Sequence, residues 1–304
     1  MHAETDRILR SFVAQSDFAR SGAVITDLDG TALAEHEGRL RVAQDVELGL
    51  KQLNDLGRPV AINTLRFPLN VVRTFGRAWA AVTDAPLPFV SLNGAVTGHL
   101  HLSRGDAVVF EELDAIPLAP SDIAEVLLGV EGLVEGGVEE LLLFHYPRDW
   151  TAGELIWTPA PARVDATRAK YRSASEVWSG PVAALRDRLA AREHCMMFLL
   201  VDAPEERLMA YQHARPGHFI THGGLDKLAG AERLAAALGF ALDHSIGAGD
   251  TPMDSFLRGC GLALQVGPLD LEHKGRVATL KLPDPPALGG ALHRIGTLLR
   301  EQRA

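Results

Sequence analysis

Two aspartates follow a short apolar segment near the start of the chain, in the stretch AVITDLDGT at residues 23–31. The apolar residues predict a buried strand, and Asp27 and Asp29 stand where that strand would end. A carboxylate is costly to bury unless a cation or a hydrogen-bond donor stabilises it. Because residues two apart on a strand point to the same face, the two acids would act together. Such a pair is suited to nucleophilic attack, proton transfer or metal binding.

Further polar side chains stand near the ends of other predicted elements. Thr64 and Asp250 each end an apolar run, Asp254 is expected one turn into the next helix, and Lys227 is expected at the start of another helix. In open parallel sheets, ligands bind beyond the carboxyl ends of the strands. Carboxylates that meet at one such edge repel one another unless a cation lies among them, and an all-oxygen site suits Mg²⁺. The sequence therefore predicts a Mg²⁺ site at this edge.

None of these signals is specific by itself. An Asp-x-Asp pair is commonly two solvated loop acids, and GDTPMD at 249–254 also fits an ordinary helix N-cap. Lys227 alone fits a surface charge, and Thr64 alone fits a β-branched strand residue. The chain order of these residues and their shared placement at strand ends are what favour a functional site.

Strands and helices alternate in the two outer parts of the chain. The predicted elements there are strands at 22–27, 58–64, 87–96, 218–224, 244–250 and 262–267, and helices at 46–56, 68–82, 228–238 and 288–302. Alternation at this spacing indicates βαβ units and a parallel sheet.

The middle of the chain has a different order of predicted strands and helices. Its predicted elements are a hairpin at 95–113 that turns near 104–106, helices at 121–133 and 175–193, and strands at 139–146, 154–158 and 195–203. Short connections between strands indicate antiparallel pairing. We therefore predict an α/β fold, with a Rossmann-like parallel-sheet core from residues 1–95 and 216–304 and an inserted α+β cap at 96–215.

Composition narrows the class of function. The 304 residues carry a net charge of -9, which argues against a nucleic-acid or membrane-surface binder because both of those partners attract basic patches. Cys195 and Cys260 lack metal-ligand or redox spacing, so reduced thiols are expected. The N-terminal residues do not resemble a signal peptide, and no apolar run is long enough to cross a bilayer. A cytoplasmic protein that binds neither nucleic acid nor membrane is expected; the sequence does not indicate an oligomeric state.

The ordered motifs resemble those of the haloacid dehalogenase (HAD) superfamily. They are DLDGT at 27–31, Thr64 in INTLR, Lys227 in LDKLAGAERLAAALG, and GAGDTPMDSFL at 247–257. SLNGAV at 91–96, just before the predicted insertion, further resembles the Cof-type (type IIB cap) sugar-phosphate phosphatases, among them the mannosyl-3-phosphoglycerate and sucrose-phosphate phosphatases. The resemblance covers the core at about 20–95 and 217–290, and it matches the cap only by position and size.

This resemblance implies a role for each motif residue. Asp27 would be the nucleophile that forms an aspartyl-phosphate, and Asp29 would be the general acid and base. Mg²⁺ would be held by the carboxylates of Asp27 and Asp250 and by the backbone carbonyl of Asp29, with Asp254 either a further ligand or the residue that holds a metal-bound water. Lys227 would neutralise charge on the phosphoryl oxygens.

The remaining candidates contact the substrate. Thr64 would donate a hydrogen bond to the phosphate, Arg66 is a second phosphate-binding candidate or a surface salt bridge, and Asn93 and Gly94 are candidate substrate contacts. In the cap, Trp150, Trp157 and Trp178, with nearby basic residues, fit either a sugar-phosphate pocket or ordinary core packing.

The resemblance implies a Mg²⁺-dependent phosphatase of a small phosphorylated metabolite, with a sugar phosphate as the expected substrate. Two alternatives stay open: a sugar phosphomutase with the same nucleophile, and a catalytically weak phosphate-binding protein. The second is motivated by Met253, which stands where the resemblance leads one to expect Asn, a side chain that can hydrogen-bond where Met cannot.

Overall fold

The computed structural model describes residues 3–36, 39–103, 107–201 and 217–303. The chain forms two compact units. The first, here called the core unit, comprises Met1–Arg66, Val71–Asp114 and Asp226–Ala304. The other, here called the second unit, comprises Phe67–Asn70 and Ala115–Leu225. The predicted turn at 104–106 and the predicted boundary at 215/216 lie outside the described residues.

An eight-stranded sheet forms the centre of the core unit. Its strands, in the order in which they lie side by side, are β15 (Ala278–Leu282), β14 (Leu262–Val266), β13 (Ile246–Gly249), β1 (Val24–Thr26), β4 (Val60–Asn63), β5 (Leu87–Ser91), β6 (Val96–Leu102) and β7 (Val108–Ala115). The pairs from β15 to β5 are all parallel, and β6 is antiparallel to β5. The α/β fold with a mainly parallel central sheet is thus confirmed.

Helices cover this sheet. They are α1 (Ala3–Gln15), α2 (Phe18–Ser21), α3 (Gln44–Asp55), α5 (Arg77–Val82), α9 (Lys227–Leu238) and α10 (Pro285–Arg303). The apolar stripe of α9 packs on Ile25, Ala61 and Val90 of three neighbouring strands. Helices α3 and α10 pack against each other and contact β4, β14 and β15. A small antiparallel hairpin, β2 (Leu33–His36) and β3 (Arg39–Val42), follows β1.

The helix predicted from Pro68 to Val82 is present as one continuous helical segment. It begins as α4 (Pro68–Val71), passes through a π-helical turn at Val72–Gly76 and continues as α5. A proline at the first helical position fits this start, because the missing N–H has no intrahelical partner there.

The described part of the second unit contains a five-stranded sheet and three α-helices that follow Ala115. Its strands, in spatial order, are β10 (Glu176–Ser179), β9 (Leu155–Thr158), β8 (Leu141–Pro147), β11 (His194–Val201) and β12 (Gly217–Ile220). Its helices are α6 (Pro120–Glu135), α7 (Val164–Lys170) and α8 (Val182–Ala190). Leu143, Trp157 and Met197 of the sheet form an apolar core with residues of α6 and α8. Pairing is antiparallel except between β9 and β10, which gives an α+β arrangement.

Several elements differ from the prediction. β6 and β7 extend the core sheet, so the second unit begins at Ala115 and not at residue 96. β12, expected to start the second half of the core, pairs with β11 in the second unit, and the core resumes at Asp226. An alternating apolar pattern indicates a strand but not its pairing partner, which is set by contacts distant in sequence.

Further elements were missed or misassigned, among them two edge strands. The predicted helix at 175–193 is replaced in its first part by β10, and β15 was not predicted. Both strands lie at the edge of a sheet, and most of their residues are exposed or only partly buried, so the apolar signal is weak. Cys195 and Cys260 are buried and form no disulfide, in agreement with the expected reduced thiols. Among the described residues, no helix is long and apolar enough to cross a membrane.

Candidate active site

The register of three parallel strands brings the predicted acids to one edge of the core sheet. Thr26 of β1 pairs with Ala248 of β13 on one side and with Ile62 of β4 on the other. The N–H of Asp27 donates to the carbonyl of Ala248 at 2.9 Å, so the first aspartate still belongs to the ladder. Asp250 and Thr64 each follow the last residue of their own strand, at the same edge of the sheet as Asp27.

The ammonium of Lys227 bridges two buried carboxylates. Its Nζ lies 2.9 Å from Oδ1 of Asp27 and 2.7 Å from Oδ1 of Asp254. The side chains of Lys227, Asp27 and Asp254 are 2%, 8% and 0% exposed, so this is a buried ion-pair cluster and not a surface salt bridge. Such a cluster holds three charged groups in a fixed geometry at a high cost in desolvation.

Burial and ion pairing shift the pKa values of Asp27 and Lys227 in opposite directions. Burial raises the pKa of Asp27 to about 7, against the lowering effect of Lys227 and with a further rise from Asp254. Burial alone would lower the pKa of Lys227, but Asp27 and Asp254 outweigh it and raise that pKa above its ordinary value. The lysine therefore stays charged, while its ammonium does not offset the effect of burial on the pKa of Asp27.

Asp254 fixes the loop that follows β13. Its Oδ2 accepts hydrogen bonds from the backbone N–H groups of Asp250 and Thr251, both at 2.9 Å. The sequence placed Asp254 one turn inside a helix; instead it directly precedes a short 3₁₀ helix at Ser255–Arg258. Its two oxygens are thus used by Lys227 and by the loop backbone, which makes Asp254 a positioning residue for both.

Asp250 is held from the loop after β1. The hydroxyl of Thr31 donates to its Oδ1 at 2.7 Å, and burial raises the pKa of Asp250. Gly30 lies between the two loops with a φ of +75°, and a Cβ there would come within 2.2 Å of Oδ2 of Asp250. Glycine is required at this position for both reasons, because L side chains rarely adopt this backbone conformation.

Three of the predicted metal ligands meet in a set that fits a hard divalent cation. Asp27, Asp250 and Asp254 each offer a carboxylate oxygen, and these oxygens lie within 4.8 Å of one another. All donors are oxygen, as Mg²⁺ prefers, and two of the three carboxylates share the ammonium of Lys227. Asp27 and Asp250 are the better ligands, since both oxygens of Asp254 already accept hydrogen bonds.

Asp29 and Arg66 form a separate pair beside this cluster. The Arg66 guanidinium donates to both carboxylate oxygens of Asp29, and this hydrogen bonding raises the pKa of Arg66. The backbone N–H of Arg66 in turn donates to Oγ1 of Thr64 at 3.2 Å. Thr64 is buried, and its N–H donates to the carbonyl of Val90 at 3.0 Å. Thr64 and Arg66, two of the three predicted phosphate-binding residues, therefore belong to one short turn.

Three residues that the sequence analysis did not single out hold the site together. Asn63 Nδ2 donates to the backbone carbonyl of Lys227 at 2.8 Å and so fixes the start of α9. Ser91 at the end of β5 donates its hydroxyl to the carbonyl of Arg66, and Thr31 holds Asp250. A polar residue that ends an apolar strand is a usable signal, and Asn63 and Ser91 both carry it.

The structure explains the other candidates by packing. Gly94 has a φ of +96°, its carbonyl accepts a hydrogen bond from Arg233, and a Cβ there would come within 2.1 Å of the carbonyl of Asp226. Asn93 also has a positive φ, 55°, in the same tight turn after β5. In the second unit, Trp157 is fully buried in the core and donates to the carbonyl of Gly180, so it cannot line a pocket for a sugar phosphate.

Comparison with known proteins shows similarity of fold. No protein-family model matches the sequence, and no curated protein matches it. Among solved structures, a HAD-superfamily phosphatase, BT1666 from Bacteroides thetaiotaomicron, is similar with a TM-score of 0.62 at 17% identity, covering 92% of this chain and 97% of that one. The protein TM0651 from Thermotoga maritima gives a TM-score of 0.59 at 14% identity, covering 93% and 97%.

A third similar structure is BT4131, described as a HAD subclass IIB sugar phosphatase. It gives a TM-score of 0.61 at 14% identity, covering 91% of this chain and 99% of that one. The match therefore extends over both units of the chain and over nearly the whole of each neighbour. The chain has the fold of the phosphatases of the haloacid dehalogenase superfamily, including their subclass IIB.

Proposed function

We propose that this protein is a Mg²⁺-dependent phosphomonoesterase that hydrolyses a small phosphorylated metabolite, with a sugar phosphate as the substrate class, through an aspartyl-phosphate. The observation that carries the proposal is the Lys227 ammonium held between Asp27 and Asp254, with Asp250 near enough to complete a cation site. Similarity of fold to a sugar phosphatase of subclass IIB supports the substrate class.

In this mechanism, an oxygen of Asp27 attacks phosphorus and the bond from phosphorus to the substrate oxygen breaks. Asp29 gives its proton to the departing alkoxide, which leaves as an alcohol. In the second half, Asp29 takes a proton from water, the water oxygen attacks phosphorus, and the Asp27 carboxylate is regenerated as inorganic phosphate leaves. Bound Mg²⁺ would supply positive charge that neutralises the phosphoryl oxygens and lowers the repulsion felt by the attacking carboxylate.

The surrounding residues support these steps by position and charge. Lys227 favours the ionised form of Asp27 against the effect of burial and holds its carboxylate in a fixed position, and its charge is available to the phosphoryl group. Thr64 and Arg66 offer a hydroxyl and a guanidinium at the end of the neighbouring strand. A proton-donating acid at Asp29 favours an alkoxide leaving group over a halide, because a halide needs no proton.

We also propose that the second unit acts as the cap that selects the leaving group. One face of its sheet is aromatic: the ring of Phe144 lies 5.6 Å from that of Phe198 and 4.9 Å from that of Tyr171. On the same face, buried Glu154 accepts a hydrogen bond from the Tyr146 hydroxyl at 2.8 Å. Aromatic rings beside a few placed polar groups are the usual lining of sites for small metabolites.

Release of inorganic phosphate from p-nitrophenyl phosphate and from a panel of sugar phosphates, measured with Mg²⁺, tests the proposal. The purified protein is expected to turn over both, and Asp27→Asn is expected to reduce kcat by on the order of 10⁴ because an amide cannot attack phosphorus. Asp55→Asn, which alters an exposed aspartate on α3, is the matched control. Turnover by Asp27→Asn within tenfold of the parent would refute the covalent mechanism. Isomerisation of a sugar phosphate without net phosphate release would identify a phosphomutase instead.

A further inference from the structure

A cavity of about 350 Å³ lies wholly within the second unit, apart from the residues of the proposed catalytic site, which all belong to the core unit. Its lining includes His145, Ser175, Glu176, Arg188 and Arg192. His145 is on β8 and shares its face with Leu143, which packs into the core with α6 and α8, whereas Phe144 and Tyr146 point to the opposite, aromatic face. The cavity therefore opens on the helix-bearing side of this sheet.

One ring nitrogen of a buried histidine at this cavity has no hydrogen-bond partner among the described residues. His145 is 1% exposed, and its Nδ1 lies 3.0 Å from Nε2 of His194, within hydrogen-bond distance. Its other nitrogen, Nε2, is buried and has no hydrogen-bond partner among the described residues. An unsatisfied buried polar atom costs free energy, so such atoms are rare without a reason. A ligand in the cavity would supply the missing hydrogen bond.

Two guanidinium groups give the cavity positive charge. Arg188 donates to Glu176 at 2.8 Å and stacks on the Trp178 ring, 4.1 Å from its centroid, so its position is fixed. Arg192 lies on the loop after α8 and makes no ion pair within the described part of the chain. Two arginines against one glutamate leave a net positive charge of one. This charge attracts an anion, and guanidinium groups match carboxylate and phosphate oxygens in geometry.

The histidine pair adds a constraint on the ligand. Burial, with His194 and the two arginines, lowers the pKa of His145 to about 3, so the ring is neutral near pH 7. A neutral imidazole has one donor and one acceptor nitrogen. If Nδ1 of His145 donates to His194, Nε2 of His145 is an acceptor; if Nδ1 accepts, Nε2 is a donor. A hydroxyl group satisfies either case because it both donates and accepts.

We infer that this cavity is a second ligand site, which takes a small oxyanion bearing a hydroxyl group, with the oxyanion on Arg188 and Arg192 and the hydroxyl on His145. Hydrogen phosphate and small hydroxycarboxylates share this chemistry, and the cavity volume suits molecules of that size. The inference does not depend on the proposed phosphatase activity, since none of its residues takes part in that mechanism.

The test is a titration of the full-length protein with inorganic phosphate and, separately, with L-lactate, followed by the ¹⁵N and ¹H NMR signals of the histidine rings. Assignment by a His145→Gln variant identifies the signals of His145 and His194. Millimolar concentrations of at least one anion are expected to shift both sets of signals in a saturable way. A saturable shift with phosphate alone, with lactate alone or with both would support the site, and it would identify the oxyanion that the site accepts.

Two variants on the α8 side of the cavity make the test specific. Arg192→Gln removes an exposed, unpaired charge without disturbing the core, and it is expected to weaken binding about tenfold or more. Arg186→Gln, on α8 but paired with Glu131, is the control and is expected to leave the affinity within about twofold. Absence of any shift at His145 with either anion, or equal affinity in the two variants, would overturn the inference.

Discussion

The guanidinium of Arg66 binds both carboxylate oxygens of Asp29, with Nε donating to Oδ2 at 2.6 Å and Nη2 donating to Oδ1 at 2.5 Å. This bidentate contact occupies both carboxylate oxygens of Asp29. If Asp29 is to carry a proton to a leaving group, Arg66 must first release one of its oxygens. The oxygens of a bound phosphate are a suitable new partner for the guanidinium.

Arg66→Gln is therefore expected to weaken substrate binding more than it slows chemistry. Loss of a charge-assisted contact with the phosphate should raise KM about tenfold or more. The value of kcat should change less, since Asp29 is then free of its partner. Initial rates over a range of substrate concentrations separate the two constants. Arg10→Gln, which breaks an exposed pair on α1, serves as the control.

A different division of the effect of Arg66→Gln between kcat and KM would contradict this expectation. If kcat falls by a large factor while KM is unchanged, Arg66 holds Asp29 in its working position and does not exchange it for phosphate.

Lys227 should be essential for stability as well as for activity. Lys227→Met leaves Asp27 and Asp254 close together and buried without their common cation, which is expected to cost about 3–5 kcal/mol of unfolding free energy. Urea denaturation at neutral pH measures this cost. Lys281→Met, at an exposed ion pair with Asp270, should cost only about 0–1 kcal/mol.

Adding Asp254→Asn to Lys227→Met tests the reason for the loss. The double variant removes one of the two repelling charges and keeps an oxygen that can accept from the loop backbone, so it should regain part of the stability. If Lys227→Met is no less stable than Lys281→Met, the ammonium does not stabilise the cluster.

The residues of the candidate site that follow strand ends could be predicted from the sequence. Asp27, Thr64 and Asp250 each follow an apolar run that is a strand of the parallel sheet, and parallel strands end at a common edge. The hydrogen bonds that fix these groups were not predictable in the same way. The Asn63 side chain donates a hydrogen bond to the carbonyl of Lys227, 164 positions away in the sequence. The Thr31 hydroxyl donates to the carboxylate of Asp250, 219 positions away.

Sheet membership was the least predictable feature of the fold. β12 has the apolar character expected of a core strand, yet it pairs with β11 in the second unit. β6 alternates as an edge hairpin does, yet it adds to the central sheet through β5. Local pattern determines that a segment is extended, while its partner depends on the burial available after other elements have packed.

Metal binding should be visible without any assay of turnover. Mg²⁺ is expected to raise the melting temperature of the parent protein, because a ligand at 100 times its Kd adds about 2.7 kcal/mol to the stability of the native state. Asp250→Asn, which replaces a ligand oxygen in the acidic cluster, should abolish most of this shift. Excess EDTA should remove both the shift and the phosphatase activity.

Asp122→Asn provides the matched control, since that acid lies in the second unit and outside the cluster. Full activity in excess EDTA, or an equal thermal shift in Asp250→Asn and Asp122→Asn, would exclude the proposed metal site.

Met253→Asn should give a folded and active protein. Met253 is partly exposed in the turn that connects Asp250 to Asp254, so an amide there would not be buried. The unfolding free energy is expected to change by less than about 1 kcal/mol, below the cost of burying an unpaired amide. The value of kcat/KM should stay at that of the parent or rise, because Asn adds a hydrogen-bond donor near the cluster.

A substitution at a buried position in the same segment gives the stability loss with which Met253→Asn is compared. Leu257→Asn, at a fully buried position, is expected to cost about 2–5 kcal/mol. A similar loss in Met253→Asn would show that Met253 packs as a core residue.

Glu154 should govern which leaving group is accepted. Its carboxylate is buried, burial raises its pKa, and it accepts a hydrogen bond from Tyr146 on the aromatic face of the second unit. If this pair binds hydroxyl groups of a sugar, Glu154→Gln should lower kcat/KM for the preferred sugar phosphate by about tenfold or more. Hydrolysis of p-nitrophenyl phosphate, which has no sugar hydroxyls, should change by less than about threefold.

The comparison of these two substrates separates selection from a general loss of fold. Glu125→Gln, at an exposed glutamate on α6, should affect neither substrate. An equal decrease for both substrates in Glu154→Gln would mean that the residue supports the structure of the second unit, because a misfolded cap would not discriminate between leaving groups. Unchanged rates with both would place sugar recognition at other residues, and the aromatic pair of Phe144 and Phe198 would be the next to test.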